Sequence, residues 1–453
     1  MERRNRMFSM PAAARQVMLA LHAGEHEAFL VGGCVRDLLM GSVPKDWDIT
    51  TSATPSEMKE IFSSFKLIET GLKHGTVTVL VNGEPLEITT FRVDGKSSDH
   101  RRPDTVSFTK SLQEDIVRRD FTMNAIAYSL DTGLIDFVGG IQDIKSGIIR
   151  CVGDPDLRFQ EDGLRMLRAL RFAAVLGFTI DTKTAESIHT NKGLLESISA
   201  ERIYTEMTRM LIGKEVGKVL RQYADVLCVM IPELTPMIGF AQHNQHHCFD
   251  VWEHTVAVVE NSLPVPLLRW AALLHDIGKP ACFTLDANGV GHFYGHAAIG
   301  REMADEIMLR LRFDNKTWER ILLLIAHHDT PIPCDEKTIK RYLNRFGAEV
   351  LLEIIALARA DNLGQSEAFR YRQTEYDALE TLVHEILHKQ PCFSLKDLAI
   401  NGNDLIELGY RGKEIGNALT LLLEAVIDGY AANEKQELLG YLKKQIGINE
   451  DRE

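Results

Sequence analysis

Asp46 and Asp48 stand one residue apart in the stretch VGGCVRDLLMGSVPKDWDIT, residues 31–50. Read as a strand, DWDIT places both carboxylates on one side, because side chains at i and i+2 face the same way. They repel each other, and a divalent cation with oxygen ligands, most simply Mg2+, relieves that repulsion. Just upstream, Gly32-Gly33 read as a tight turn from the strand FLV into a helix that carries Arg36 and ends at Gly41. A turn feeding a helix N-terminus offers backbone N–H groups to an anion. Phosphates on backbone amides beside a two-carboxylate metal site imply phosphoryl transfer. A third carboxylate is expected from a neighbouring strand. Glu87 in PLEITTF fits, since Leu86 and Ile88 face the core while Glu87 and Thr89 face the other way.

These groups need a scaffold, and the first ~140 residues supply one: AFLVGG, DWDITT, GTVTVLV and LEITTF read as short strands between turns and short helices. Thr54-Pro55-Ser56-Glu57 reads as a capping box with proline at the first helical position. From about Asp154 onward the periodicity is helical almost throughout. The fold class expected is α+β: a small mixed head, then a mostly helical neck, body and tail. The boundaries expected are 1–140 (head), 141–205 (neck), 206–242 (body), 243–365 (a histidine-rich domain) and 366–453 (C-terminal segment).

The 453-residue chain is 45% hydrophobic, enough for real cores. No apolar run approaches the ~18 residues of a membrane helix, so no membrane partner is expected. The N-terminal apolar stretch carries Arg15 and His22 and reads as an amphipathic helix rather than a signal peptide. Seven scattered cysteines without a CxxC pair argue for a reducing, cytoplasmic setting and against a thiolate zinc site. A net charge of −13 argues against nucleic acid, but arginine clusters in DHRRPD, VRRDF and RFQEDGLRMLRALRF override that balance locally.

At this point the motifs match a family. GGCVRDLLMG, KDWDITTSATP, RRDFTMNAIAY and EDGLRMLRALRFAAVLGF resemble the class II tRNA nucleotidyltransferases and poly(A) polymerases, within the DNA polymerase beta-like nucleotidyltransferases. The segment 397–426 is similar to the C-terminal part of bacterial CCA-adding enzymes. The resemblance implies template-free transfer of CMP and AMP from CTP and ATP to a tRNA 3′ end. It implies that Gly32, Gly33 and Arg36 contact the incoming nucleotide, that Asp46 and Asp48 hold two Mg2+ ions, and that Arg119 meets the triphosphate. Asp162, Arg165, Arg168 and Arg171 would line the nucleotide pocket from the neck.

The neck spacing is consistent with this. Asp162, Arg165 and Arg168 recur at i, i+3 and i+6 along one expected helix face, while Leu164, Leu167 and Leu170 pack inward. The bland alternative is a solvated face with Glu161 and Asp162 paired to Arg165. Cytosine and adenine each present an amino donor beside a ring-nitrogen acceptor; Asp162 can only accept and Arg165 can only donate. Together they match C and A and oppose U and G. In the family a head loop contributes to the switch from C to A. The corresponding stretch is VDGKSSDHRRPD (93–104), with Arg101, Arg102 and Asp104 as the matching residues.

Residues 243–365 hold a second constellation: HNQHHCFDVWEHTV, LLHDIGKP, HFYGHAAIG, AHHDTP and RADNLGQ. It resembles the HD-domain metal phosphohydrolases, with His254, His275, Asp276 and Asp361 in the H…HD…D pattern. Imidazoles and carboxylates from separate helices bind a divalent metal, which polarises a phosphate ester and activates water. His296, His327 and His328 are candidates for a second metal site, and Lys279 for a phosphate contact. His243, His246 and His247 are expected to be solvated or to support the ligands from outside.

Several functions fit these motifs. Full CCA addition stands beside A-only, CC-only and poly(A) addition. From another class, an HD phosphohydrolase acting on 2′,3′-cyclic or terminal phosphates would be the main activity, the head merely positioning RNA. A non-catalytic RNA-binding protein is disfavoured by two complete ligand sets.

Overall fold

The computed structural model describes residues 9–95, 106–244, 248–389 and 392–450. Arg101, Arg102, Asp104, His246 and His247 therefore lie outside the described residues. Two compact units are present, one reaching to Thr235 and one beginning at Pro236, with residues 310–312 grouped with the first.

In the first unit, α1 (Ala12–Ala23) leads into β1 (Ala28–Val31), α2 (Gly33–Leu39), β2 (Asp48–Thr51) and α3 (Pro55–Ile61). Strands β3 (Lys66–Ile68), β4 (Thr76–Val81) and β5 (Glu84–Thr90) follow, then the ribbon β6 (Arg92–Asp94) and β7 (Val106–Phe108). Helix α4 (Leu112–Val117), β8 (Ile126–Ser129), β9 (Gly133–Asp136) and α5 (Gly140–Ser146) complete the head. The strand order is β3-β4-β5-β2-β1-β8-β9. Only β2 and β5 run parallel; the other neighbours are antiparallel.

Alternation along β1 and β2 divides the side chains between two faces. Leu30 and Ile49 pack with Val77, Val79, Ile88 and the helices α1 and α3. Phe29 and Val31 face the other way, toward Phe91, Leu112 and Ile116. Asp48 and Thr50 share that second face by register, so it is the face on which chemistry can be mounted. Helix α3 starts as its sequence predicts, with Thr54 and Glu57 forming a reciprocal capping box and Pro55 at its first position.

Two expectations are corrected. The strand expected over DWDIT begins only at Asp48, and Asp46 lies on the preceding bend. Val31 is the ladder partner of Asp48, and after Val31 the partner strand turns away at Gly32, so nothing is left for Asp46 to pair with. Nor is the neck one continuous helix through Asp162. α6 (Pro155–Glu161) ends just before Asp162, which is extended at φ −153° and ψ 103°, and α7 (Leu164–Leu176) starts after Gly163. The Asp162 carboxylate accepts the Leu164 N–H at 3.1 Å and so caps the new helix instead of riding on it. Leu164, Leu167 and Leu170 are buried as the spacing predicts. Helices α8 (Thr182–Asn191), α9 (Ala200–Leu211), α10 (Val216–Gln222) and α11 (Ala224–Met230) finish this unit.

The second unit is helical. It runs through α12 (Val251–Asn261), α13 (Pro266–Leu274), α14 (His296–Leu311), α15 (Asn315–His327), α16 (Glu336–Phe346), α17 (Ala348–Gly364) and α18 (Gln373–His388). A separate small core then unites α19 (Gly402–Glu407), α20 (Lys413–Ile427) and α21 (Lys435–Glu450). Among the described residues no helix is long and apolar enough to cross a membrane.

Candidate active site and metal cluster

The head site is built where β1 ends and β2 begins. Gly32 has φ 77° and ψ −135°, a conformation closed to residues with a side chain. Its missing side chain also makes room: a Cβ there would stand 3.5 Å from Arg119 Nη1 and 3.7 Å from Asp48 Oδ2. Thus the turn, the carboxylate and the arginine converge on one spot. Cys34 in the same turn is a packing residue, its thiol pushed up to about 11 by burial.

Glu87 is the β5 register partner of Asp48 and is exposed beside it. The Asp48 carboxyl is raised above its ordinary range, first by burial and then by repulsion from Glu87 and Asp46, against the pull of Arg119. The three predicted carboxylates are therefore neighbours electrically. They do not close into a cage: among the described residues, groups of three or more ligand atoms within 4.8 Å of one another occur only in the second unit. That looseness suits Mg2+, which binds through one or two carboxylates and completes its shell with water and substrate phosphates. The donor set is all hard oxygen, and Arg119, whose charge acts on Asp48, pairs with Asp115 at 3.1 Å.

Arg36 is buried and faces inward. It donates to Asp37 at 2.9 and 2.7 Å and to Asn124 at 2.8 Å, and lies 5.1 Å from the Phe172 ring. Two neck arginines share that ring, Arg171 at 4.1 Å and Arg168 at 5.6 Å. Arg168 forks onto Asp120 at 2.9 and 2.6 Å, and Arg171 stands 3.0 Å from Glu206 on α9. Burial opposes ionisation of Asp120, yet Arg168 and Arg165 hold its carboxyl down at about 2. Burial lowers the Arg171 guanidinium to about 10. Arg165 pairs with Glu161 at 2.7 Å, the contact anticipated by the bland reading, and Asp162 accepts from Arg202 at 2.7 Å. The other pair of the bland reading, Asp162 to Arg165, is absent, because Asp162 caps α7 and accepts from Arg202. Sequence reasoning missed Asp115, Asp120, Asn124, Phe172 and Glu206. Asp120 and Asn124 sit inside a quoted motif, so attention to its carboxylate and amide would have found them; Glu206 has no local signal.

The second unit holds a denser cluster. His254, His275, Asp276 and Asp361 lie together, and His296 and His328 join Asp276 from the other side. Each imidazole donates Nδ1–H to a backbone carbonyl: His254 to Gly364 at 3.1 Å, His275 to Ala272 at 2.8 Å, His296 to Phe293 at 2.9 Å and His328 to Ile325 at 2.7 Å. A carbonyl can only accept, so the Nδ1 atoms carry the protons and the Nε2 lone pairs face inward. Those lone pairs meet head to head, His254 to His275 at 3.4 Å and His296 to His328 at 3.2 Å. Two acceptors at that distance require a cation between them. Asp276 bridges both pairs: Oδ2 lies 3.3 and 3.1 Å from His254 and His275, Oδ1 3.4 and 3.7 Å from His296 and His328. Asp361 completes the first group, 2.9 Å from His254. Without a metal, a proton takes the place. Burial resists it, but Asp276 and Asp361 push the His275 imidazole up to about 10.

His327, expected beside His328, is not in this cluster; its ring lies 5.0 Å from that of Phe346. Successive helical residues point about 100° apart, so an HH pair delivers one ligand to one centre. Lys279, expected at a phosphate, is buried with Nζ 2.6 Å from Asp276 and donating to the Gln242 side-chain Oε1 at 3.0 Å. A 390 Å3 cleft lined by Asp361, His328, Gln365, Arg372 and Tyr376 gives access to the cluster.

Comparison with known proteins agrees with this layout. Residues 28–150 match the poly A polymerase head domain, residues 177–237 the "probable RNA and SrmB- binding site of polymerase A", and residues 245–364 the HD domain. The nucleotidyltransferase head and the HD domain both imply use of divalent metal. The chain is 35% identical to the CCA-adding enzyme of Limosilactobacillus fermentum, over 94% of this chain and 95% of that protein. It is also 35% identical to the CCA-adding enzyme of Lactobacillus helveticus, over 95% and 96%. The crystal structure of the Bacillus stearothermophilus CCA-adding enzyme in complex with CTP superposes with a TM-score of 0.73 at 29% identity, covering 98% of this chain and 100% of that one.

Proposed function

The chain belongs to the CCA-adding enzymes, and we propose that it transfers CMP and then AMP from CTP and ATP to the 3′ end of tRNA without a nucleic-acid template. The observation that carries this reading is the convergence of the Gly32 turn, Asp48 and Arg119 on one spot. The tRNA 3′-hydroxyl attacks the α-phosphate and pyrophosphate leaves. The backbone N–H groups of the Gly32-Gly33 turn receive the triphosphate together with Arg119. Asp46 and Asp48, with Glu87 alongside, hold Mg2+. When bound, this metal lowers the pKa of the attacking hydroxyl and offsets the charge on the leaving group.

Base selection falls to the neck. Asp162 and Arg165 exchange their present partners, Arg202 and Glu161, for the edge of C or A. Arg168 and Arg171, anchored by Asp120 and Glu206, line the pocket beside them. The inward-facing Arg36 supports this wall through Asn124 and the Phe172 ring. Arg101, Arg102 and Asp104 are assigned to the C-to-A switch on sequence alone. The units proposed are those of the sequence boundaries, with 1–140 as catalytic head and 366–453 as the tRNA-holding segment.

The test uses one tRNA in three forms, ending before CCA, at C and at CC, given CTP, ATP or both. Three additions to the shortest form, requiring both nucleotides and then stopping, are expected. Addition of A alone, of two Cs alone, or of an unending A tail would replace this reading with one of its siblings.

A second activity is supported by the inward-facing Nε2 pairs. The HD cluster holds a divalent metal and hydrolyses 2′,3′-cyclic or terminal phosphates on RNA ends. Asp46→Ala should abolish transfer and spare hydrolysis, and His275→Ala should do the reverse. Loss of both activities in either variant would refute two separate sites.

A further inference from the structure

Asp115 is fully buried on α4, yet it carries no part of the chemistry assigned above. Its Oδ1 accepts from Arg118 Nε and Nη2 at 3.0 and 2.7 Å and from the Arg92 backbone N–H at 3.3 Å. Its Oδ2 accepts from Arg119 Nη2 at 3.1 Å and from the Thr50 hydroxyl at 3.2 Å. Burial alone would neutralise such a group, but Arg119 and Arg118 hold its carboxyl below the ordinary range. Thr50 is two residues beyond Asp48 on the same face of β2, so Asp115 stands directly behind the catalytic carboxylate.

Arg119 thus lies between two carboxylates. Its Nη2 is bonded to Asp115, while its Nη1 faces the Gly32 turn, beside Asp48 Oδ2. It makes no ion pair with Asp48, although its charge is felt there. A guanidinium this close to an unshielded carboxylate would close onto it as a bidentate pair unless something held it back. That closure would fill the oxygen atoms that a metal needs.

We infer that Asp115 is a positioning residue that tethers Arg119, holding it toward the triphosphate and off Asp48 so that the catalytic carboxylates stay open to Mg2+. The inference rests on the assignment of Asp46 and Asp48 to the metal. The tether stabilises one orientation of Arg119 and removes a competitor for the metal in the same stroke. It also explains why a carboxylate is placed where an apolar residue would pack more cheaply.

The test is CTP binding by calorimetry across a Mg2+ series, on full-length protein without tRNA, so that no turnover occurs. Asp115→Asn should raise the half-saturating Mg2+ concentration on the order of tenfold, because Arg119 closes onto Asp48. Arg119→Gln should weaken CTP binding at saturating Mg2+ and shift the Mg2+ midpoint less than about threefold. The double variant should return the midpoint to that of Arg119→Gln alone. An unchanged midpoint in Asp115→Asn, or a double variant as impaired as Asp115→Asn, would overturn the tether. Should Asp115→Asn fail to fold, Arg119→Gln decides: a midpoint lowered about tenfold would mean Arg119 competes untethered in the native protein. Asp48→Asn is the control. If its CTP binding keeps the native Mg2+ dependence, the metal assignment fails and the tether falls with it; if Asp48→Asn shifts the midpoint and Asp115→Asn does not, the tether alone is overturned.

Discussion

The head site and the HD cluster are both built from groups that hold divalent metal, but they are prepared very differently. In the head, three carboxylates are held at the central strands β2 and β5 and on the bend before β2, and they do not close into a tight set. In the HD domain, four imidazoles and two carboxylates are brought together, every Nδ1 locked by a backbone carbonyl, and a carboxylate bridges two groups. On the proposed reading, the loose head set would take a metal that arrives with its nucleotide, whereas the preorganised cluster would retain a metal of its own.

The sharpest way to break this contrast is Asp48→Asn. Transfer should fall by on the order of 10³-fold with tRNA binding retained, since only the metal's share of the chemistry is lost. Single-turnover addition with a filter-binding control reads it; near-native addition would remove Asp48 from the metal site. A smaller effect is expected in the cluster. A Cβ on Gly364 would lie 3.1 Å from His254 Nδ1 and 2.9 Å from Val258 Cγ2. Gly364→Ala should therefore disturb the His254 ring and cost ~10–100-fold in metal affinity, leaving CMP and AMP addition intact. Metal content after dialysis checks it, and full retention would mean that the carbonyl locks are dispensable.

Smaller again is selectivity. Asp162→Ala should relax discrimination of CTP against UTP by on the order of tenfold. Unchanged selectivity would sink the protein-template reading. The smallest effect is in pH. The His275 imidazole is raised from 6.5 to about 10 without metal, so its contribution to stability is complete below 6.5 and lost as pH rises toward about 10. Asp276 and Asp361, held well below their ordinary range, contribute throughout that window. Metal-stripped protein should therefore lose thermal stability between about pH 7 and about pH 9, and metal-loaded protein should not. Parallel melting curves of the two forms would contradict the proton-for-metal exchange.

Much of this was legible in the chain because it is local. A Gly-Gly turn, an Asp-x-Asp, a Thr-Pro-Ser-Glu cap and a His-Asp step each specify geometry over a few residues, and the head strands followed from alternation and turn residues. Where β2 begins was not local: it depends on where its partner strand turns away, so Asp46 fell outside the ladder. The neck misled for a related reason. Spacing of three suggests one helix face, but the Asp162 carboxylate took up the backbone N–H of Leu164 and the guanidinium of Arg202, and the helix breaks at that residue. In the His327-His328 pair, the helix angle, which residue spacing does not phase, selected His328.

What the sequence determined by itself was therefore the chemistry: which residue types occur, in which order, and hence phosphoryl transfer in the head and metal binding in the HD domain. What only the tertiary structure decided was partnership. Asp115 holds Arg119 from four residues away, but it also reaches Thr50 and the backbone of Arg92. Glu206 holds Arg171, and Gln242 reaches Lys279. A buried charge must be met by an opposite charge or a hydrogen-bond partner, and physics demands that such a partner exist without saying where in the chain it will be.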